Sequence, residues 1–142
     1  MATTPTNNTD TTASTNPTTP TAPTAPTGID FVSLQVSDIA KSRAFYCDTL
    51  GLPAAPTSPP GAQLIATRPV SMALRTDITP EPGTAGRGVT LWIAVDDVDT
   101  LHKTVTASGA KPEGDPADGP FGRMFTVTDP DGYRLTLHNA AG

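Results

Sequence analysis

Residues 129–138 read DPDGYRLTLH. Asp129-Pro130-Asp131-Gly132 is a tight-turn signal, because Asp and Gly tolerate the backbone angles that such turns require. The residues that follow alternate, with Tyr133, Leu135 and Leu137 on one side and Arg134, Thr136 and His138 on the other. That is the period of a half-buried strand. With "RMFTVT" before the turn, at residues 123–128, the stretch forms the two arms of a hairpin. What faces Arg134, Thr136 and His138, whether metal, ligand or water, decides what kind of protein this is.

Working outward, the same plan occurs twice. In "GIDFVSLQVSDIAKSRAFYCDTLGLP" a strand alternates Val32, Leu34 and Val36 against Phe31, Ser33 and Gln35. Ser37 or Asp38 then caps a helix whose apolar face holds Ile39, Tyr46 and Leu50, and Gly51 and Pro53 stop it. In "GVTLWIAVDDVDTLHKTVTASGAKP" a strand sets Val89, Leu91, Ile93 and Val95 against Thr90, Trp92 and Ala94. Asp96 or Asp97 caps a helix carrying Val98, Leu101 and Val105, which ends at Gly109. The helix-ending glycine follows the last strand valine by 15 residues in the first copy (Val36 to Gly51) and by 14 in the second (Val95 to Gly109). Each copy runs through a loop into paired strands, "QLIAT" and "VSMALRT" in the first, "RMFTVT" and "YRLTLH" in the second. The loops contain Pro53, Pro56, Pro59 and Pro60 in one case and "EGDPADGPFG" in the other. A repeat of this length points to a duplicated supersecondary unit.

The chain has 142 residues and a net charge of -5. Residues 1–28 hold no Val, Ile, Leu, Phe, Trp or Tyr and only Asp10 as a charge, so they are expected to stay disordered. Residues 29–142 then form one domain, with a first module at about 29–78 and a second at about 88–139. The acidic balance and the lack of any Lys/Arg run argue against a nucleic-acid partner. No basic start followed by an apolar run marks an export signal, and no stretch is long enough to span a bilayer. A single Cys47 excludes an internal disulfide framework. The expected location is cytoplasmic.

"VSDIAKSRAFYCDTLGL", "VDDVDTLHKTVTASGA" and "GPFGRMFTVTDPDGYRLTL" together resemble the vicinal oxygen chelate superfamily. This group contains glyoxalase I, extradiol dioxygenases, fosfomycin-resistance enzymes and drug-binding proteins of the bleomycin-resistance type. The resemblance implies an α+β fold of two tandem βαβββ modules whose curved mixed sheets surround a cavity, usually at a homodimer interface. Helices would cover the convex side. The cavity face would then carry Phe31, Ser33, Gln35, Arg75, Thr90, Trp92, Arg134, Thr136 and His138 as ligand-binding residues, with Ser71 and Ala73 beside them.

Metal-dependent members of that group place His, Gln or Glu at four strand positions, which correspond here to Phe31, Ala73, Thr90 and Thr136. Phe and Ala offer no donor, and a neutral Thr hydroxyl is a poor one for a divalent ion held at about 2.0–2.3 Å. A slip of one residue would bring Val32, Val89, Leu135 or Leu137 inward, which supplies no donor either. No metal, no other cofactor and no catalytic residue is therefore expected. The leading reading is a non-catalytic protein that binds a small, antibiotic-like or metabolite ligand. A glyoxalase- or dioxygenase-type enzyme with displaced ligands and an accessory protein-interaction module are the alternatives. Trp92 could stack on a flat ligand or fill a core or dimer contact. Arg75 and Arg134 could capture an anion or reach solvent from strand ends, and Arg123 is placed in a loop lip. His102 is expected to be exposed on its helix, Cys47 to be a buried thiol, and Tyr46 and Tyr133 to be core.

Overall fold

The computed structural model describes residues 24–139. Most of the segment expected to be disordered therefore lies outside the described residues.

Strand β1 (Phe31–Gln35) leads into helix α1 (Ile39–Arg43). Asp38 is the cap, and its carboxylate accepts the Lys41 N–H at 3.1 Å, satisfying one of the donors that a helix start leaves free. The helix then widens into a π turn over Ala44–Thr49, and Gly51 ends it with φ +81°. In the wide turn the Leu50 N–H reaches back five residues to the Phe45 carbonyl. Consecutive Phe45 and Tyr46 both become buried, with their rings edge to face at 5.3 Å. A regular 3.6-residue period puts only Tyr46 inward, so Phe45 was missing from the expected apolar face.

Strands β2 (Ala62–Ile65) and β3 (Ser71–Arg75) complete a three-stranded sheet in the order β1-β3-β2. The second half repeats the plan with β4 (Thr90–Ala94), helix α2 (Val98–Ala107), β5 (Ala117–Gly119), β6 (Gly122–Thr128) and β7 (Arg134–His138). Its sheet has the order β4-β7-β6-β5. Asp97 caps α2, and Val98 and Val105 are its buried residues. The short β5 lies inside "EGDPADGPFG", which reads as loop because it has no apolar alternation; it pairs Ala117 with Met124 and Gly119 with Gly122. In the first half the equivalent position holds only one bridge, Ala54 to Ile65. Pro53 and Pro56 flank that bridge and cannot donate to a ladder, so no strand extends from it. Val89, expected on the helix-facing side of β4, precedes the strand and is exposed, its N–H tied back to the Gly86 carbonyl.

The two halves have the same register. Phe31 pairs with Ser71 in the parallel β1–β3 ladder, and Thr90 pairs with Arg134 in the parallel β4–β7 ladder. Leu34, Met72, Leu74, Phe125, Val127, Leu135 and Leu137 are buried and form one core with residues of both helices. The halves are joined by polar contacts around the turn. The Tyr46 hydroxyl donates to Asp129 Oδ2 at 2.7 Å, and the Asp131 carboxylate accepts the Ser37 N–H at 3.2 Å. The Tyr133 hydroxyl donates to the Gln35 carbonyl at 2.9 Å. Asp129 Oδ1 takes the N–H groups of Asp131, Gly132 and Tyr133, each at 2.9 Å. Burial raises the Asp129 carboxyl above its usual range against the pull of these donors, and burial beside Asp129 pushes the Tyr46 phenol well above its ordinary value.

Candidate ligand site

Strand pairing decides which side chains share a face. On the second sheet Thr90 pairs with Arg134, Trp92 with Thr136 and Ala94 with His138, while Met124 and Thr126 stand opposite His138 and Thr136. All therefore point to the side away from Leu91, Leu135 and Leu137. Trp92 is 47% exposed, although it lies mid-strand. Its ring is edge to face with His138 at 5.4 Å and with Phe121 at 5.8 Å, and Phe121 is itself 61% exposed. The His138 Nδ1 lies 3.1 Å from the Phe121 carbonyl, which fixes the imidazole against the β5–β6 connection. Thr136 is buried, and its hydroxyl shares a hydrogen bond with Thr126 at 2.8 Å.

The equivalent face of the first sheet carries Phe31, Ser33, Gln35, Ser71, Ala73 and Arg75. Phe31 is 46% exposed, Ser33 is exposed and Ala73 is buried. Gln35 Oε1 accepts the Ile78 N–H at 2.9 Å. The two expected anion-binding arginines both have partners. Arg75 Nε lies 2.7 Å from Asp77, and Arg134 makes a two-pronged contact with Glu113 at 2.7 and 2.8 Å while also donating to the Thr90 hydroxyl at 3.2 Å. The Arg134 contact holds the Glu113 carboxyl below its usual range, and the Arg75 contact does the same for Asp77. Arg123 is not in a loop lip: it is the second residue of β6, and its guanidinium contacts Asp99 and Asp118. His102 is only partly exposed, edge to face with Phe125 at 5.0 Å. Cys47 is partly buried, and that burial raises its thiol.

Two concavities meet these faces. The larger, of about 530 Å³, runs along β4 between Leu91, Trp92 and Ile93 on one side and Val32, Met72 and the β2–β3 connection at residues 66–70 on the other. Of the expected site residues only Trp92 lines it. Strand parity missed most of its other walls, because Val32, Met72, Leu91 and Ile93 have core-side parity and residues 66–70 belong to a connection without periodicity. A second concavity, of about 420 Å³, takes in Thr90 and Arg134 together with the glycine-rich 83–88 loop. Phe31, Ser33, Gln35, Arg75, Thr136 and His138 line neither; Thr136 is buried beside Thr126, and the others are exposed or partly exposed on their sheet faces.

The four positions matched to metal ligands occupy equivalent places, Phe31 and Ala73 in one sheet and Thr90 and Thr136 in the other. Their chemistry does not fit a divalent metal. One pair is hydrocarbon, and both hydroxyls of the other already have hydrogen-bond partners. Among the described residues no group of three or more His, Cys, Asp and Glu converges elsewhere.

Comparison with known proteins places this geometry. The family model described as the Glyoxalase/Bleomycin resistance protein/Dioxygenase superfamily matches residues 28–137. The anthracycline biosynthesis protein DauV of Streptomyces sp. (strain C5) is 34% identical over 114 residues. The match covers 77% of this chain but only 40% of DauV, so the chain spans well under half of that relative's length. TnmS3, an antibiotic-binding protein from Streptomyces sp. CB03234, superposes with a TM-score of 0.62 at 25% identity, over 82% of this chain and 98% of TnmS3. The fosfomycin resistance protein FosX of Listeria monocytogenes shares the fold, with a TM-score of 0.62 at 18% identity over 82% of this chain and 94% of FosX. The chain belongs to the Glyoxalase/Bleomycin resistance protein/Dioxygenase superfamily.

Proposed function

We propose that this superfamily member binds a flat, mostly apolar organic molecule and holds it without transforming it. The observation that carries this reading is Trp92, half-exposed in mid-strand, braced by Phe121 and His138, and lining the larger concavity. A tryptophan side chain buries roughly 200 Å² when covered, so the exposed half offers a ligand about 2–3 kcal/mol of apolar transfer. Edge-to-face neighbours hold the ring ready for stacking, which limits the ordering cost of binding. The antibiotic-binding description of TnmS3 and the anthracycline-pathway description of DauV support a ligand of this class. The lack of ionisable donors at Phe31, Ala73, Thr90 and Thr136 supports binding over metal-assisted chemistry.

A second copy of the chain is the proposed cover for the open faces. Trp92 and Phe121 are both exposed and in contact, and Phe31 and Val89 are exposed as well, so a partner surface would cover apolar side chains of both sheets. Phe31, Ser33, Gln35 and Arg75 would then face a ligand from one sheet, and Thr90, Trp92, Arg134, Thr136 and His138 from another. A nucleic-acid partner is unsuited to the net charge of -5. Among the described residues no helix is long and apolar enough to cross a membrane. The single Cys47 suits the cytoplasm.

Titration of the purified protein with planar polycyclic compounds, followed by Trp92 fluorescence and melting temperature, tests the reading. A saturable change with a Kd of about 1–10 μM and unmodified ligand recovered afterwards is the expected result. The binding proposal is abandoned if no compound moves either signal. Elemental analysis of protein prepared without chelator should find sub-stoichiometric metal, and a full equivalent of Zn, Fe, Mn or Ni would overturn the non-catalytic part.

A further inference from the structure

We infer that the molecule held against Trp92 is an aromatic acid, anchored by Arg68 at the edge of the larger concavity. This inference deepens the binding reading and rests on it.

Among the described residues lining that concavity, Arg68 is the only ionisable one. The rest of the wall is apolar or backbone, apart from Thr67, whose hydroxyl donates to the Val70 carbonyl. No carboxylate lines the site. Arg43, Arg75, Arg123 and Arg134 each have an acidic partner within 4.0 Å, whereas Arg68 has none among the described residues. In a chain with more acids than bases, a cation without a partner at the mouth of an apolar groove is therefore selective by position. Guanidinium is suited to planar, two-pronged recognition of a carboxylate. The chain's overall negative charge acts from farther away, where salt screens it, so the local contact decides the preferred ligand charge. The arginines with cavity parity in the sequence, Arg75 and Arg134, are already neutralised by Asp77 and Glu113, so they do not compete for the anion. The β2–β3 connection thus brings its charge to the same groove as the aromatic ring on β4, and an amphipathic anion satisfies both.

Three probes with a common ring system separate the contributions: anthraquinone-2-carboxylate, its neutral carboxamide, and 2-(aminomethyl)anthraquinone as the cation. Each is titrated against the wild-type protein, Arg68→Gln and Lys103→Gln, with Trp92 quenching and calorimetry as readouts. Arg68 is exposed in a loop, and circular dichroism and melting temperature are to be compared with the wild type to check that both variants fold. The carboxylate should bind about fivefold to tenfold more tightly than the amide, and the amine more weakly than either. Arg68→Gln should level the carboxylate with the amide, while Lys103→Gln, an equal change of net charge on the exposed side of α2, should leave the preference intact. Equal affinities in the wild type, or a preference that survives Arg68→Gln, overturn the inference while leaving the binding reading in place. A preference lost equally in Lys103→Gln would assign it to net charge and also overturn it. Failure of all three probes to bind removes both.

Discussion

Replacing Tyr46 with Phe removes one oxygen from the junction between the halves, and the structure sets the size of the effect. The Tyr46 ring is fully buried and stays in place. Its hydroxyl is the one donor to Asp129 Oδ2 among the described residues, since the three backbone N–H groups go to Oδ1. The variant leaves a buried carboxylate oxygen without a donor, a cost of about 1.5–3 kcal/mol for a charged acceptor. For an ordered region of about 115 residues that corresponds to a melting temperature lower by roughly 6–12 °C. The cost also depends on pH. Burial already raises the Asp129 carboxyl, and the Tyr46 bond opposes that rise, so its loss lets the carboxyl rise further. A carboxyl that binds its proton more tightly in the folded than in the unfolded chain loses stability as pH rises from the unfolded value of about 4 through the folded one. The penalty should therefore be full at pH 8 and shrink as pH falls toward the unfolded value, because a protonated Asp129 loses only a neutral hydrogen bond, worth about 1 kcal/mol. Urea unfolding at pH 8, 6 and 4.5, followed by circular dichroism, measures it. A penalty below about 0.5 kcal/mol at pH 8, or one that does not vary with pH, would refute the assigned role of this contact.

Three further outcomes are expected. Gly132→Ala should cost about 2–4 kcal/mol in the same unfolding assay, because φ is +103° and a Cβ would lie 2.5 Å from the Gly83 backbone. Ser42→Ala should stabilise by about 0.5–1 kcal/mol, because the Ser42 hydroxyl is buried without a partner and Ala is the better helix former; a destabilised variant would imply that a buried water satisfies it. Above the ordinary tyrosine value of about 10, wild-type stability should fall as pH rises, because the unfolded chain releases the Tyr46 proton while the folded chain retains it. Tyr46→Phe should flatten that alkaline limb.

The parts of the fold set by local periodicity were legible in the sequence, and those set by contacts between halves were not. Both helices follow from cap, apolar spacing and stop glycine, and the turn at residues 129–132 follows from residue type alone. Phe45 was missed because the π turn breaks the period on which the reading relied. The β5 strand was missed because Ala117, Asp118 and Gly119 carry no strand signal; backbone pairing with β6 alone makes them one. Parity correctly put Trp92 with Thr136, and Arg134 with Thr90, on one face. It could not show that Asp77 and Glu113 neutralise the two arginines, since those acids come from loops with no periodicity. Arg68 escaped notice for the same reason: its place in the site depends on where a proline-containing connection crosses the edge of the other sheet.

Fold and site are divided within single strands. In β7, Leu135 and Leu137 go to the core, while Arg134, Thr136 and His138 go to the opposite face, where Thr136 is buried beside Thr126. The turn before β7 is tied to the π turn that follows α1, through Asp129 and the buried Tyr46. Substitution at the exposed positions of that face and of its equivalent in the first sheet, such as Arg134 and Phe31, therefore leaves the core and the junction intact. A face carrying Phe31, Ala73, Thr90 and Thr136 folds with the same ladder register in both halves, and no buried contact requires an ionisable group at any of the four. That independence permits one scaffold to serve unrelated activities. It also means that the shared fold leaves function open, so the proposed ligand preference is argued from the aromatic cluster at Trp92 and from Arg68, which has no acidic partner among the described residues.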